Sequence, residues 1–283
     1  MALIILCCFS LNLSASEAVI SITDKISLKG QFVQGGIIIG KTIPGSQVTF
    51  DKQTIRVSPE GNFIIGFSRD EPIRVNLSIA IPDGEKISKD IRIEKRNYKI
   101  QRIDGLPKAK VSPRKPEVLA RIRKESAQAA QARKRDDERP DYLETFIWPT
   151  IGPISGVYGS QRILNGQARR PHFGVDVAAP AGSNVVAPAS GVITLAHQDM
   201  FFSGGTIILD HGHGLSSTFL HLSQLLIKKG DVVRQGDLIA RVGATGRVTG
   251  AHLDWRMNYF KRRVDPQLLV PPMESLIKPI NKN

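Results

Sequence analysis

The sequence predicts a mostly β protein: a small β-sandwich-like module, a basic helical linker and a larger antiparallel β domain. Three observations predict it. Short β-branched runs separated by Gly and Pro turns fill residues 17–107, helix formers fill 117–135, and strand-and-turn texture returns after Tyr142. A chain of 283 residues suits two domains, and with 41% hydrophobic and 23% charged residues it can bury two cores. No apolar run reaches the roughly 18 residues a membrane span requires.

Residues 1–16 come first. Ala2 to Leu13 is a short apolar run followed by Ser14, Ala15 and Ser16, the hydrophobic and cleavage regions of a secretory leader, although a basic leading segment is missing. An N-terminal strand is the alternative. Cys7 and Cys8 both fall in this run, so a processed chain has neither disulfides nor thiolate ligands. Small residues of a lipid-attachment site do not precede either cysteine. The expectation is export without an anchor.

Strands are expected at Ile20–Ile22, Gly30–Val33, Ile37–Ile39, Gln47–Phe50, Thr54–Val57, Phe63–Phe67, Val75–Ile81, Ile87–Ile93 and Tyr98–Ile103. Gly35-Gly36, Pro44-Gly45, Pro59-Glu60-Gly61 and Pro82-Asp83-Gly84 punctuate them. Close spacing of many short strands predicts a sandwich over 17–107. It holds no histidine and no catalytic constellation, so a spacer or a docking module is expected.

The linker, 108–140, opens on Pro113 and Pro116 and continues as a helix from Glu117 to Arg135. Its 11 basic and 5 acidic residues supply much of the net charge of +13. That charge favours acidic partners in general, and an export signal argues against nucleic acid among them. Beyond it, in 141–283, strands are expected at Val185–Ala187, Gly191–Ala196, Thr206–Asp210, Ser217–His221 and Leu238–Val242.

All six histidines lie in this last part. His172 and Asp176 are four apart, roughly 13 Å along a straight strand, and Gly174 between them allows a bend that brings both side chains inward. Imidazole and carboxylate both suit zinc. On a strand, His252 and Asp254 project together while Leu253 and Trp255 face the opposite layer. His221 stands at a strand end in Phe219-Leu220-His221-Leu222. His211 and His213, between glycines, are expected to be structural or groove-lining, and His197 a surface histidine. Arg169-Arg170, just before His172, either contacts an acidic peptide or is solvated.

His172 through Asp176, Phe219-Leu220-His221-Leu222 and His252-Leu253-Asp254 stand in an order that resembles the LytM/lysostaphin-type endopeptidases. Ser155-Gly156-Val157-Tyr158-Gly159-Ser160, Ala187-Pro188-Ala189-Ser190-Gly191 and Asp210-His211-Gly212 resemble that family's flanking signatures, and the resemblance covers about Phe146 to Pro266. It implies a compact antiparallel β domain with an open groove. It also implies a zinc site with His172 and Asp176 as ligands and His221 and His252 as catalytic histidines, whose division of labour stays open. The implied reaction is hydrolysis of an amide in the stem peptides of peptidoglycan, in a Gram-negative periplasm, with wall-remodelling proteins as partners of the first module.

The sequence departs from the family at the third ligand, where Asp254 replaces a histidine, and at Arg256, where glutamate is common. Aspartate is an acceptable zinc ligand, so the expected metal set is His172, Asp176 and Asp254. The second carboxylate lowers the net charge of the centre by one, which predicts a higher working pH, and its harder oxygens open the site to manganese or magnesium. Arg256 offsets that charge only if it turns towards the site. The main rival is a degenerate domain of the same family that binds wall or activates an amidase without cutting. A carrier or phosphotransfer domain, suggested by the lipoyl-like texture of Lys229–Val242, needs one modified lysine or histidine rather than four ordered site residues.

Overall fold

The computed structural model describes residues 18–104 and 115–277, so the expected leader and the first residues of the linker lie outside the described residues. The chain is mostly β, with one α-helix among the described residues. Its first eight strands are β1 (Ala18–Thr23), β2 (Ile26–Gly30), β3 (Ile37–Lys41), β4 (Gln47–Phe50), β5 (Gln53–Ile55), β6 (Asn62–Gly66), β7 (Arg74–Ala80) and β8 (Lys86–Arg92). They form two antiparallel sheets, ordered β1-β2-β3-β6 and β5-β4-β7-β8. In β7, Val75, Leu77 and Ile79 are buried while Arg74 and Asn76 are exposed, the period-2 pattern of a strand with one wet face. These side chains share one core with Ile26, Leu28, Phe63 and Ile65.

Two expectations need correction here. The strand expected at Gly30–Val33 lies earlier, at Ile26–Gly30, because Ile26 and Leu28 fill the core in alternation with Ser27 and Lys29. The strand expected at Tyr98–Ile103 forms as β9 (Ile100–Ile103) but leaves the sandwich and runs parallel to β11 (Gln161–Leu164). Strand periodicity names a face and never a partner, so this pairing was not readable.

The helix α1 (Pro116–Ala132) starts with proline in its first turn and ends three residues before the expected Arg135. Glu125 is buried beneath it, pairs with Arg121 at 2.6 Å and accepts from the Phe201 amide at 2.8 Å. Arg121 also reaches Asp199 at 3.0 Å. The helix is thereby tied to the turn of the hairpin at residues 199–201.

The remaining strands are β10 (Ile154–Gly156), β12 (Gln167–Ala168), β13 (Val175–Ala178), β14 (Asn184–Val186), β15 (Gly191–Met200), β16 (Gly204–Asp210), β17 (Leu215–Leu225), β18 (Val232–Val233), β19 (Leu238–Val242), β20 (His252–Tyr259) and β21 (Arg262–Val264). The main path of the large sheet is β10-β13-β20-β17-β16-β15-β18, with β14, β19 and β21 attached at its sides. Leu253, Trp255 and Met257, all fully buried, point from β20 into the core. That leaves His252, Asp254 and Arg256 together on its other face.

The two halves are locked together. Arg96 pairs with the buried Asp265 at 2.8 Å, Arg262 pairs with Asp51 at 3.1 Å, and Arg69 donates to the Gly159 carbonyl at 2.8 Å. A side chain at Gly66 would meet Tyr259 Cβ at 2.6 Å, so glycine lets β6 lie directly on β20.

His211 is a structural group. Trp255 donates to the Ser217 hydroxyl at 3.2 Å, Ser217 donates to His211 Nε2 at 2.9 Å, and His211 Nδ1–H donates to the Ser190 carbonyl at 2.8 Å. Burial pushes this imidazole down to about 4. The unfolded chain therefore binds a proton near pH 6.5 that the folded one refuses until about 4. The stabilisation is complete above the unfolded value and falls as pH drops through this window, by on the order of 3 kcal/mol. Urea titrations of wild type and His211→Asn between pH 7.5 and 4.5 should show a steeper loss for wild type; parallel losses would contradict the assignment.

Candidate active site

Strand register builds the site. Asp176 on β13 and Asp254 on β20 are direct cross-strand partners, and both are buried. Two like charges placed opposite each other destabilise a sheet, so this face requires cations. The chain bends at Gly174, just before β13, and His172 comes to lie with Nε2 at 3.1 Å from Asp176 Oδ1. A side chain at Gly174 would meet Arg256 Cγ at 2.5 Å, the Trp255 carbonyl at 2.6 Å and Asp254 Oδ1 at 2.7 Å. Glycine is needed there for close approach, since its backbone is not left-handed.

His172, Asp176 and Asp254 each offer one ligand atom, and these atoms all lie within 4.8 Å of one another. His172 Nδ1 and Nε2 and Asp176 Oδ1 are buried without a hydrogen-bond partner. Buried polar groups are almost always paired, so orphaned acceptors converging on one point mark a place for a cation. Two ligands at about 2.1 Å on a tetrahedral ion stand roughly 3.4 Å apart, close to the His172–Asp176 separation. The residues fit a divalent metal.

Asp254 brings a partner with it. Arg256 donates from Nε to Oδ1 at 2.9 Å and from Nη2 to Oδ2 at 2.5 Å, a fork that takes one lone pair from each oxygen. The remaining lone pairs can still bind a metal. Burial works to raise the Asp254 carboxyl, but Arg256, His172 and His221 outweigh it and hold the group well below the usual carboxylate range. Asp176 has Arg162 Nη2 at 3.3 Å from Oδ2.

The two other histidines face this cluster. His221 Nδ1–H donates to the Thr245 carbonyl at 2.8 Å, and its Nε2 lies 4.0 Å from Asp254 Oδ2. His252 Nδ1–H donates to the Gly250 carbonyl at 2.9 Å, with Nε2 3.8 Å from Asp176 Oδ1. A carbonyl on each Nδ1 fixes the tautomer and presents Nε2 to the site. The two rings are 5.0 Å apart between centroids. Burial pushes His221 down to about 4, opposed by the Asp254 charge and the Thr245 carbonyl, so it is neutral at pH 7. His221 also sits inside β17 rather than at its end, at an irregularity of pairing and with a left-handed φ of 66°. That strained conformation re-aims the imidazole out of the regular pleat.

The structure thus brings together His172, Asp176, Asp254, His221 and His252. It places His211 and His213 elsewhere: His213 stacks on Tyr142 with ring centroids 4.4 Å apart. His197 is partly buried, not a plain surface histidine, and accepts from the Asp199 amide at 3.1 Å. Sequence reading did not single out Thr245 as the anchor of His221. It also missed Arg162 and Arg247, which carry no motif.

Residues 170–266 match peptidase family M23. The Vibrio cholerae peptidoglycan DD-endopeptidase ShyA is 36% identical over 107 residues, which are 38% of this chain and 25% of that relative. The Neisseria meningitidis DD-carboxypeptidase/endopeptidase Mpg is 36% identical over 134 residues, 47% of this chain and 30% of that relative. The chain therefore spans about a quarter of the length of the curated relatives it matches. A solved structure, a peptidase M23 protein of Pseudomonas aeruginosa, superposes with a TM-score of 0.66 at 28% identity, covering 84% of this chain and 95% of that one.

Proposed function

We propose that this chain, which carries a peptidase family M23 domain at residues 170–266, is an exported metal-dependent endopeptidase. Its substrate is the peptide cross-link of peptidoglycan in a Gram-negative periplasm. One observation carries the reading: two buried, partnerless acceptors, His172 Nε2 and Asp176 Oδ1, converge with Asp254 beneath two histidines that present Nε2. The named activities of ShyA and Mpg support the substrate class.

His172, Asp176 and Asp254 hold the metal in this reading, zinc in the first place, with manganese an alternative for a set with two carboxylates. The metal supplies Lewis acidity, polarising an amide carbonyl and activating water. The chain's own residues handle the protons. His221 is neutral at pH 7 and, with Nδ1–H held by Thr245, can accept a proton at Nε2 and return it to the leaving amine. His252 is oriented in the same way by Gly250, and only as the imidazolium, with a proton also on Nε2, can it donate to the oxyanion of the tetrahedral intermediate. Arg256 neutralises Asp254 locally, so the donor set carries the net charge of one carboxylate with two neutral ligands. The working pH expected from a doubly anionic set does not follow once Arg256 is counted.

The grip of Arg256 on Asp254 also favours a second reading, a domain that binds wall without cutting it. Digestion of purified sacculi separates the two. Zinc-loaded protein should release monomeric muropeptides from cross-linked ones, and chelation should stop this until zinc is restored. Protein that binds no metal and releases no muropeptide would leave only the second reading.

A further inference from the structure

Beside the candidate metal site lies a cavity of about 450 Å³ that shares His221 and Arg256 with it. Six arginines line it: Arg162, Arg169, Arg170, Arg247, Arg256 and Arg263. No Asp or Glu does so among the described residues. Five of these arginines are partly buried. Like charges gathered in a half-desolvated space repel one another, and an anion taken up among them lowers that repulsion. Burial, and then Arg162, Arg256 and Arg169, depress the Arg247 guanidinium. Burial, Arg133 and Arg256 push Arg263 down to about 9. Asp176 pairs with Arg162 and Asp254 with Arg256, and both carboxylates are turned to the metal site.

The cavity is built rather than incidental. Arg247 lies over the Phe202 ring at 4.4 Å from its centroid, and its amide donates to the Phe202 carbonyl at 2.9 Å. Phe173 gives a second apolar wall, and Ser126 of α1 closes one side. A guanidinium held over an aromatic ring keeps its forked donors in place for carboxylates.

We infer that this cavity is an anion subsite that takes the free carboxylates of the acidic peptide whose amide lies over the metal site. The inference rests on the peptidase reading for the identity of that peptide and adds what positions it. Because His221 and Arg256 border both spaces, a carboxylate among the arginines fixes which amide reaches the histidines, and an amidated peptide loses that anchor.

The test uses the full chain stripped of metal, so that binding is read without turnover. The probe is a cross-linked stem-peptide dimer with its carboxylates free, compared by calorimetry with the same dimer converted to carboxamides. The free acid should bind at least roughly tenfold more tightly. Arg247→Gln, and independently Arg169→Gln at the rim, should weaken the free acid by a similar factor and leave the carboxamide unchanged. Equal affinities for the two dimers, or variants that weaken both alike, would overturn the subsite. So would inorganic phosphate binding more tightly than the acid dimer. Acid-selective binding in a protein that never hydrolyses wall would sustain the subsite and sink the peptidase reading. Hydrolysis indifferent to amidation would do the reverse.

Discussion

His221→Ala lowers the turnover of cross-linked wall peptide about 10³-fold while one equivalent of metal stays bound, the range expected when a positioned general base is lost. The two outcomes separate because His221 is not among the three groups whose ligand atoms converge. Its contribution comes from orientation. Thr245 holds Nδ1–H, and a bulged, left-handed backbone points Nε2 to within 4.0 Å of Asp254. A neutral imidazole depressed to about 4 is already in the accepting form at pH 7, so raising the pH cannot rescue the variant by titration. Metal analysis beside muropeptide release checks both halves. Loss of metal together with activity would make His221 a structural prop of the cluster rather than a proton carrier.

Much of the fold was legible because it depends on local pattern. Alternation in Val75–Ile81 reads directly as a strand with one buried face, and the helix-forming composition of 117–135 reads as a helix, which the structure ends at Ala132. The five candidate site residues were singled out on a different ground: imidazole and carboxylate suit a metal, and their three segments stand in the order of the family they resemble. What stayed hidden is long-range. No periodicity could tell that β9 would abandon the sandwich for β11, or that Asp176 and Asp254 would be register partners. Arginines gave the least warning. Arg162 and Arg247 carry no motif and Arg256 was read only against Asp254, so only the folded sheet gathers them around one cavity. The same holds for Arg256 against Asp254: two residues apart on a strand means one face, but the bidentate grip depends on Gly174 leaving room for the Arg256 stem.

That grip leads to the second large effect. Arg256→Gln strips the buried Asp254 of its guanidinium while leaving it opposite Asp176, so the metal-free protein loses roughly 3–5 kcal/mol, the usual result of breaking one half of a buried pair. A divalent ion then becomes the main cation left to that face beside Arg162, and its affinity rises at least roughly tenfold, because the donor set is more negative by one charge. The gap in melting temperature between metal-free and metal-loaded protein should therefore widen in the variant, since ligand affinity adds directly to apparent stability. Competition against a chelator of known affinity, with melting curves in both states, reads this without any assay of hydrolysis. The opposite result is equally informative. If Arg256→Gln binds metal more weakly than wild type, then Arg256 holds Asp254 in a ligating pose rather than neutralising it. The Asp254–Arg256 pair would then no longer stand as an electrical equivalent of a neutral third ligand.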